Sequence, residues 1–208
     1  QQKKYYKELK TRMVMQAAGE EVTAVNAAVN MNKLLQISAG AVYTDNGQAL
    51  EFDIKHRYKV LMEAIQETSS KVLVFVPFKH TIGILSRRLT SDGISNAVIQ
   101  GDVPVSKRTE IFRAFQEQSD PRVLVVQPAA ASHGVTLTAA NTVVWWAPTS
   151  SLETYLQANA RIHRAGQKNK CTVVQLHGAP VEQHVYRLLD DRIDVHTKVI
   201  DLYKELLD

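Results

Sequence analysis

Arg161 and Arg164, three residues apart, with Gln157 four residues before the first, form the group in this sequence best suited to chemistry. They lie in residues 157–167, Gln-Ala-Asn-Ala-Arg-Ile-His-Arg-Ala-Gly-Gln. At about 100° per residue, a helix through this stretch places Gln157, Arg161 and Arg164 within a roughly 60° arc. Leu152, Tyr155, Leu156, Ile162 and His163 then fall on the opposite, apolar side. Two guanidiniums held out on one face can grip a polyanion, or reach the phosphoryl group of a nucleotide bound by another domain. An amphipathic helix with a solvated basic face fits the same pattern, so the choice rests on the surroundings.

The helix itself is predicted over 151–165. Ser150 and Glu153 have capping-box spacing, no Pro or Gly intervenes before Gly166, and Gly166 stands where a helix stop belongs. Apolar, β-branched runs at 72–76, 97–99, 123–126, 142–146 and 172–176 alternate with helical stretches at 80–91, 106–117, 151–165 and 181–207. Strands that are apolar throughout, separated by helices, predict a parallel sheet covered on both faces. Pro180 suits the first turn of the last helix. Residues 1–40 read as helical with a stop at Gly40, 44–47 (Thr-Asp-Asn-Gly) as a turn, and Asp53 as the cap of a helix reaching about Thr68. The expected organisation is an N-terminal helical extension over 1–55 and one α/β doubly wound domain over 56–208.

In such a sheet, ligands gather at the carboxyl ends of the strands. The segments emerging there carry Lys79 and His80, then Gly101 and Asp102, then Ser132 and Gly134, then the 147–150 loop leading to the arginines. Topology is expected to place Arg161 and Arg164 beside Gly134 and near Lys79 and Gly101. The small residues from Ala129 to Gly134 let backbone amides approach a phosphate, although a tight strand-to-helix turn wants the same residues. Lys79 and His80 suit a sugar-phosphate backbone or a plain exposed loop. Gly101-Asp102 also reads as a turn with an N-cap, and Arg108 as a solvated helix residue. Trp145 and Trp146 lie in a buried-looking run and read as core.

The chain has 208 residues, 45% of them hydrophobic, enough for one α/β domain with a core plus an extension. Its formal charge of +4 permits a polyanionic partner without demanding one. The single cysteine, Cys171, excludes an internal disulfide and a multi-cysteine zinc site, and reads as a small core residue. His133, His163 and His177 lack zinc spacing, so no metal ligand is assigned. No apolar run approaches the ~18 residues of a membrane span, and an intracellular protein without membrane contact is expected. A chain that opens on Gln1 is expected to be a fragment or a processed product. The sequence has neither a Gly-x-x-x-x-Gly-Lys-Ser/Thr loop nor an Asp-Glu pair after an apolar strand to hold magnesium. A nucleotide-hydrolysis site made from this chain alone would be incomplete.

Taken together, the motifs resemble the second RecA-like lobe of superfamily-two helicases, most closely the Swi/Snf-type DNA translocases. Residues 71–78, Lys-Val-Leu-Val-Phe-Val-Pro-Phe, are similar to motif four. Gln100-Gly101, Arg108 and Phe115 match the family's Gly…Arg…Phe pattern, and 131–141 resembles motif five. Gln157-x-x-x-Arg161-x-His-Arg164-x-Gly-Gln167 resembles motif six in its Swi/Snf form. Two departures stand out: Ser132 and His133 replace a usual pair of glycines, and Trp-Trp-Ala-Pro-Thr at 145–149 replaces an acidic residue and Trp-Asn-Pro. These trimmed loops are similar to bacterial and phage members, which implies a bacterial or phage-infected host cytoplasm and not a nucleus.

The resemblance implies a DNA-dependent ATPase in which ATP and Mg are held mainly by an N-terminal RecA-like lobe, with duplex DNA lying across both lobes. It makes Arg164 the arginine finger and Arg161 a second finger or positioning residue. Gln157 would couple nucleotide to the lobe interface, and Gly134 would let the motif-five backbone approach. Lys79, His80, Gly101 and Ser132 would touch the DNA backbone. The fragment alone is expected to be inactive. A nucleic-acid-binding or protein-interaction module on the same fold is the alternative, with arginines that only contact phosphate.

Overall fold

β3 (Lys71–Phe75) forms the middle of a five-stranded sheet in the order β4-β5-β3-β6-β7, every neighbouring pair parallel. Its partners are β4 (Asn96–Ile99), β5 (Val123–Val126), β6 (Ala140–Trp145) and β7 (Thr172–Gln175). The computed structural model describes every residue except Glu20, Glu21, Val22, Asp45, Ser132, His133 and Asp208, and every side chain apart from those at 16–22, 45, 132–133 and 207–208. Val72–Val76 and Val123–Val126 have no exposed surface, because a central parallel strand is covered on both faces. α4 (Lys79–Ser91) carries the chain from β3 out to the β4 edge, and α5 (Val105–Glu117) carries it back toward the centre to β5. Right-handed crossovers in opposite directions put these two helices on opposite faces. This is the doubly wound α/β arrangement that the alternating apolar runs predict.

Contacts divide the chain into two compact units: residues 56–149 with 153–176, and residues 1–55 with 150–152 and 177–208. The first holds the sheet, with α3 (Lys55–Glu67) beginning at the boundary. Two guanidiniums secure its chain ends. Arg122 donates from Nη1 to the Ser69 carbonyl (2.7 Å) and from Nη2 to those of Ile65 (3.0 Å) and Thr68, satisfying the carbonyls left open where α3 ends. Arg57 donates to the carbonyls of Trp146 and Leu176 and stacks 5.7 Å over the Trp146 ring.

The second unit is built from α1 (Gln2–Gly19), α2 (Ala24–Ala39), α7 (Pro180–Asp190) and α8 (Val199–Leu207). It also holds a hairpin of β1 (Ala41–Tyr43) and β2 (Ala49–Glu51) that the sequence reading registers only as a turn at 44–47. Asp45 of that turn lies outside the described residues. Gly40 ends α2 at φ +111°, the left-handed conformation a glycine stop adopts. The Tyr203 hydroxyl donates to the buried Met13 carbonyl at 3.2 Å, tying α8 to α1.

The expected helix over 181–207 is two helices. Ile193 N–H donates to the Leu188 carbonyl and Arg192 N–H to that of Leu189, with Arg192 at φ +57°. That is a Schellman stop closed on a non-glycine residue, which a glycine-based rule does not find. Asp194 then accepts from the His196 N–H at 2.8 Å and starts a new turn.

Candidate functional site

α6 spans Leu152–Asn159 and stops six residues before the expected end at 165. Its start differs as well: it opens at Leu152, and Glu153 Oε1 accepts from Gln157 Nε2 at 2.8 Å within the helix, not from a capping position at Ser150. The early stop has tertiary causes. Asn159 Oδ1 accepts from the buried Trp145 indole Nε1 at 2.9 Å. Arg161 N–H reaches the Ala158 carbonyl, a tighter three-residue step, and the Arg161 carbonyl accepts from Leu137 N–H at 3.0 Å. The backbone is thereby drawn onto the 134–140 segment instead of continuing its helix.

This geometry corrects the single-face reading of Gln157, Arg161 and Arg164. Arg161 is buried, with 4% of its surface exposed, whereas Arg164 is exposed and Gln157 half-buried. Burial pushes the Arg161 guanidinium below its ordinary pKa, and the neighbouring Arg164 charge adds to the effect. His163, expected on the apolar side, is exposed, and Leu156 is 41% exposed.

Arg164 does meet Gly134, as topology led us to expect. Its Nη1 donates to the Gly134 carbonyl at 3.1 Å and lies 3.4 Å from Thr136 Oγ1. Gly134 sits at φ +55°, a region that favours glycine, and a Cβ there would meet nothing within 4 Å. Its backbone conformation therefore calls for glycine, while its surroundings leave the position open. Ser132, assigned to the same segment, lies outside the described residues.

Gln167 holds this turn in place, a role not assigned to it from sequence. Its Nε2 donates to the carbonyls of Ala140 (2.8 Å) and Ile162 (3.1 Å) and lies 3.4 Å from that of Thr138, while its Oε1 accepts from Asn169 N–H at 3.0 Å. One amide thus joins the arginine-bearing turn to the start of β6. Cys171, half-buried and not a core residue, sits 3.7 Å from the Ile162 carbonyl, and burial raises its thiol pKa.

A second cluster forms at the carboxyl ends of β3, β4 and β5. Lys79 Nζ pairs with Asp102 Oδ1 at 2.7 Å, both side chains about half-exposed. Gln127 Oε1 accepts from Gly101 N–H at 3.0 Å, and a Cβ on Gly101 would lie 3.9 Å from Lys79 Cε. Arg108 folds back to donate to the carbonyls of Val103 (2.7 Å) and Gly101 (2.8 Å), so it shapes this loop and is not simply solvated. Asp102 does not cap α5, whose N-cap is Pro104. His80 is half-buried in the first turn of α4. Gln127, immediately after an apolar strand, is the residue whose position could have disclosed its part. Trp145 and Trp146 are fully buried, as core residues. Among the described residues, no three His, Cys, Asp or Glu side chains group as metal ligands, and no helix is long and apolar enough to cross a membrane.

Comparison with known proteins bears on the family and the fold. The family described as helicase conserved C-terminal domain matches residues 56–166, the stretch that runs from the start of α3 through Arg164. The ATP-dependent helicase fft2 of Schizosaccharomyces pombe is 28% identical over 136 residues, which is 65% of this chain and 11% of that protein. A Caenorhabditis elegans SWI/SNF-related matrix-associated actin-dependent regulator of chromatin, subfamily A containing DEAD/H box 1 homolog, is 29% identical over 150 residues, covering 72% of this chain and 15% of that one. The Sulfolobus solfataricus SWI2/SNF2 ATPase core, solved in complex with dsDNA, shares the fold at a TM-score of 0.76 and 19% identity, over 99% of this chain and 46% of that one. The chain thus spans between a tenth and a sixth of the length of these two curated relatives. It belongs to the helicase conserved C-terminal domain family, and the relatives it resembles are helicases of the SWI/SNF-related kind.

Proposed function

We propose that this chain is the second motor lobe of a DNA-dependent ATPase that translocates on duplex DNA. The observation that carries the reading is Arg164: an exposed guanidinium at the end of the family-matched segment, steered by the Gly134 carbonyl. A cation so placed suits an arginine finger, which stabilises charge developing on a transferred phosphoryl group. ATP with Mg supplies that phosphoryl group and would be held mainly by an N-terminal RecA-like lobe, since this sequence contains no phosphate loop. Arg161, buried against the same turn, serves to position Arg164 and reinforces its positive field. Gln157 lies one turn before Arg161 and would relay nucleotide state to the lobe interface. Lys79, His80 and Gly101, with Ser132, would form this lobe's part of the DNA track.

Steady-state ATP hydrolysis by the intact protein, with and without duplex DNA, beside the same assay on this chain, tests the reading. Turnover stimulated by DNA in the intact protein and absent from the chain alone is expected. An intact protein that is inert, with a chain that still binds DNA, would leave only the binding-module alternative.

A further inference from the structure

α1 has the largest positive surplus of any element in the chain. α1 carries Lys3, Lys4, Lys7, Lys10 and Arg12 against a single carboxylate, Glu8, a surplus of four. The whole chain's formal charge is +4, with 25 basic and 21 acidic residues, so everything outside α1 is balanced at twenty of each. α4 (Lys79–Ser91) follows with three cations, Lys79, Arg87 and Arg88, and no carboxylate, so α1 is the most basic element of the chain but not the sole basic one.

Three of its five cations share a face. At about 100° per residue, Lys3, Lys7 and Lys10 fall within a roughly 60° arc. Tyr6, Leu9 and Met13 lie on a different side, Tyr6 and Leu9 half-buried and Met13 fully buried. Lys3 and Lys7 are exposed and Lys10 is half-buried, a setting in which a lysine can cover its stem and keep its charge in water. Lys4 is drawn toward Glu8 at 3.8 Å and Arg12 falls on the far side of the helix, which leaves Lys3, Lys7 and Lys10 as the stripe. From Lys3 to Lys10 a helix rises roughly 10 Å, about the length over which one strand of a duplex presents three phosphates.

We propose that the Lys3–Lys7–Lys10 stripe of α1 is a nucleic-acid phosphate-binding surface, separate from the Lys79–Gly101 cluster and not reading base sequence. Charge complementarity selects the occupant. The side bearing Tyr6, Leu9 and Met13 is packed inside its own unit, and the exposed Tyr5, Val14 and Met15 are scattered around the helix, so no continuous apolar face is left to lay into a bilayer. A row of lysines without bidentate arginine partners suits point-charge contact with a backbone. The choice of duplex DNA as the polyanion rests on the motor-lobe reading; the surface itself rests on the charge distribution.

The test is the salt dependence of duplex binding by the 208-residue chain. Lys3→Gln/Lys7→Gln/Lys10→Gln is compared with a control of equal charge, Lys59→Gln/Lys107→Gln/Lys198→Gln, and with Lys79→Gln. Loss of three phosphate contacts is expected to lower the slope of log K against log salt by about 2.7, and to weaken binding at least ~10-fold at low salt, while the control changes little. An equal fall in the control would mean that net charge alone acts, and would overturn the proposal. So would an unchanged slope in the α1 variant beside normal DNA binding by the parent. If the α1 variant loses binding and Lys79→Gln does not, the inference stands and the Lys79 track fails. Circular dichroism of each variant guards against misfolding; since two of the three lysines are exposed, Lys3→Gln/Lys7→Gln alone should still lower the slope by about 1.8.

Discussion

Arg164 donates through Nη1 to the carbonyl of Gly134, 30 residues earlier in the chain, at 3.1 Å. The bond runs from side chain to backbone, so it fixes where the guanidinium stem lies without consuming its charge. The remaining guanidinium N–H groups keep a direction in which to point. A flexible arginine becomes a directed one, which is what a group needed only in a transition state requires.

Replacing Arg164 with Ala in the intact protein is expected to lower DNA-stimulated ATP turnover by ~10³-fold or more, about 4 kcal/mol of activation free energy. The KM for ATP should change far less than kcat, because an arginine finger of the kind proposed makes its contact mainly in the transition state. A variant that folds normally and loses less than tenfold would remove Arg164 from this role.

Asp102 holds Lys79 in an ion pair at 2.7 Å, with both partners about half-exposed. Such a pair contributes only about 0–1 kcal/mol to folding, so Asp102→Asn should leave the melting temperature almost unchanged. It should strengthen duplex binding severalfold and steepen its salt dependence, since it frees Lys79 and removes a repelling carboxylate. Lys79→Ala is expected to do the reverse on every DNA sequence alike. Fluorescence anisotropy titrations at three salt concentrations would decide; weaker binding by Asp102→Asn would argue against Lys79 as a backbone contact.

Gln167 satisfies the carbonyls of Ala140 and Ile162 with one amide. Gln167→Leu leaves them without that donor and should cost about 1–3 kcal/mol in urea unfolding. Because the same amide sets the turn that bears Arg164, turnover in the intact protein should also fall. An unchanged unfolding midpoint would mean that water replaces the amide at no cost.

Burial raises the Cys171 thiol pKa. Its alkylation should therefore lag that of a free thiol near neutral pH and accelerate only above the ordinary thiol range. In the unfolded chain the thiol ionises first, so its contribution to stability is present below that ordinary pKa and declines as pH rises past it. Iodoacetamide labelling followed by mass across pH 7–10 reads the first effect and urea unfolding over the same range reads the second; a labelling rate equal to that of a free cysteine peptide at every pH would contradict the buried setting.

The two strands β3 and β5 were the most legible because their apolar character is unbroken: Val72 to Val76 and Val123 to Val126 can be buried in only a few ways, and a strand between strands is one, whereas the edge strand β7 has polar ends and two exposed residues. Helices α4 and α5 were legible from their spacing, and the stop at Gly40 from glycine's access to positive φ. The motif order around Arg161 and Arg164 was enough to point to the family. The sequence by itself therefore determined the fold class, a helix-covered parallel sheet, and the family.

What only the tertiary structure decided is how those residues are presented. Periodicity treats a helix as continuing until a local signal stops it. α6 ends instead because Trp145 takes the side chain of Asn159 and Leu137 takes the Arg161 carbonyl, two partners 14 and 24 residues away in sequence. That single change of direction buries Arg161 and exposes Arg164, two residues that a helical wheel places side by side. The union of 177–208 with the N-terminal helices is likewise a matter of packing, whereas the break after Asp190 is a local stop on Arg192 that a glycine-based rule passes over. Local propensity sets which elements can form; long-range hydrogen bonds and packing set where they end and which side chain faces water.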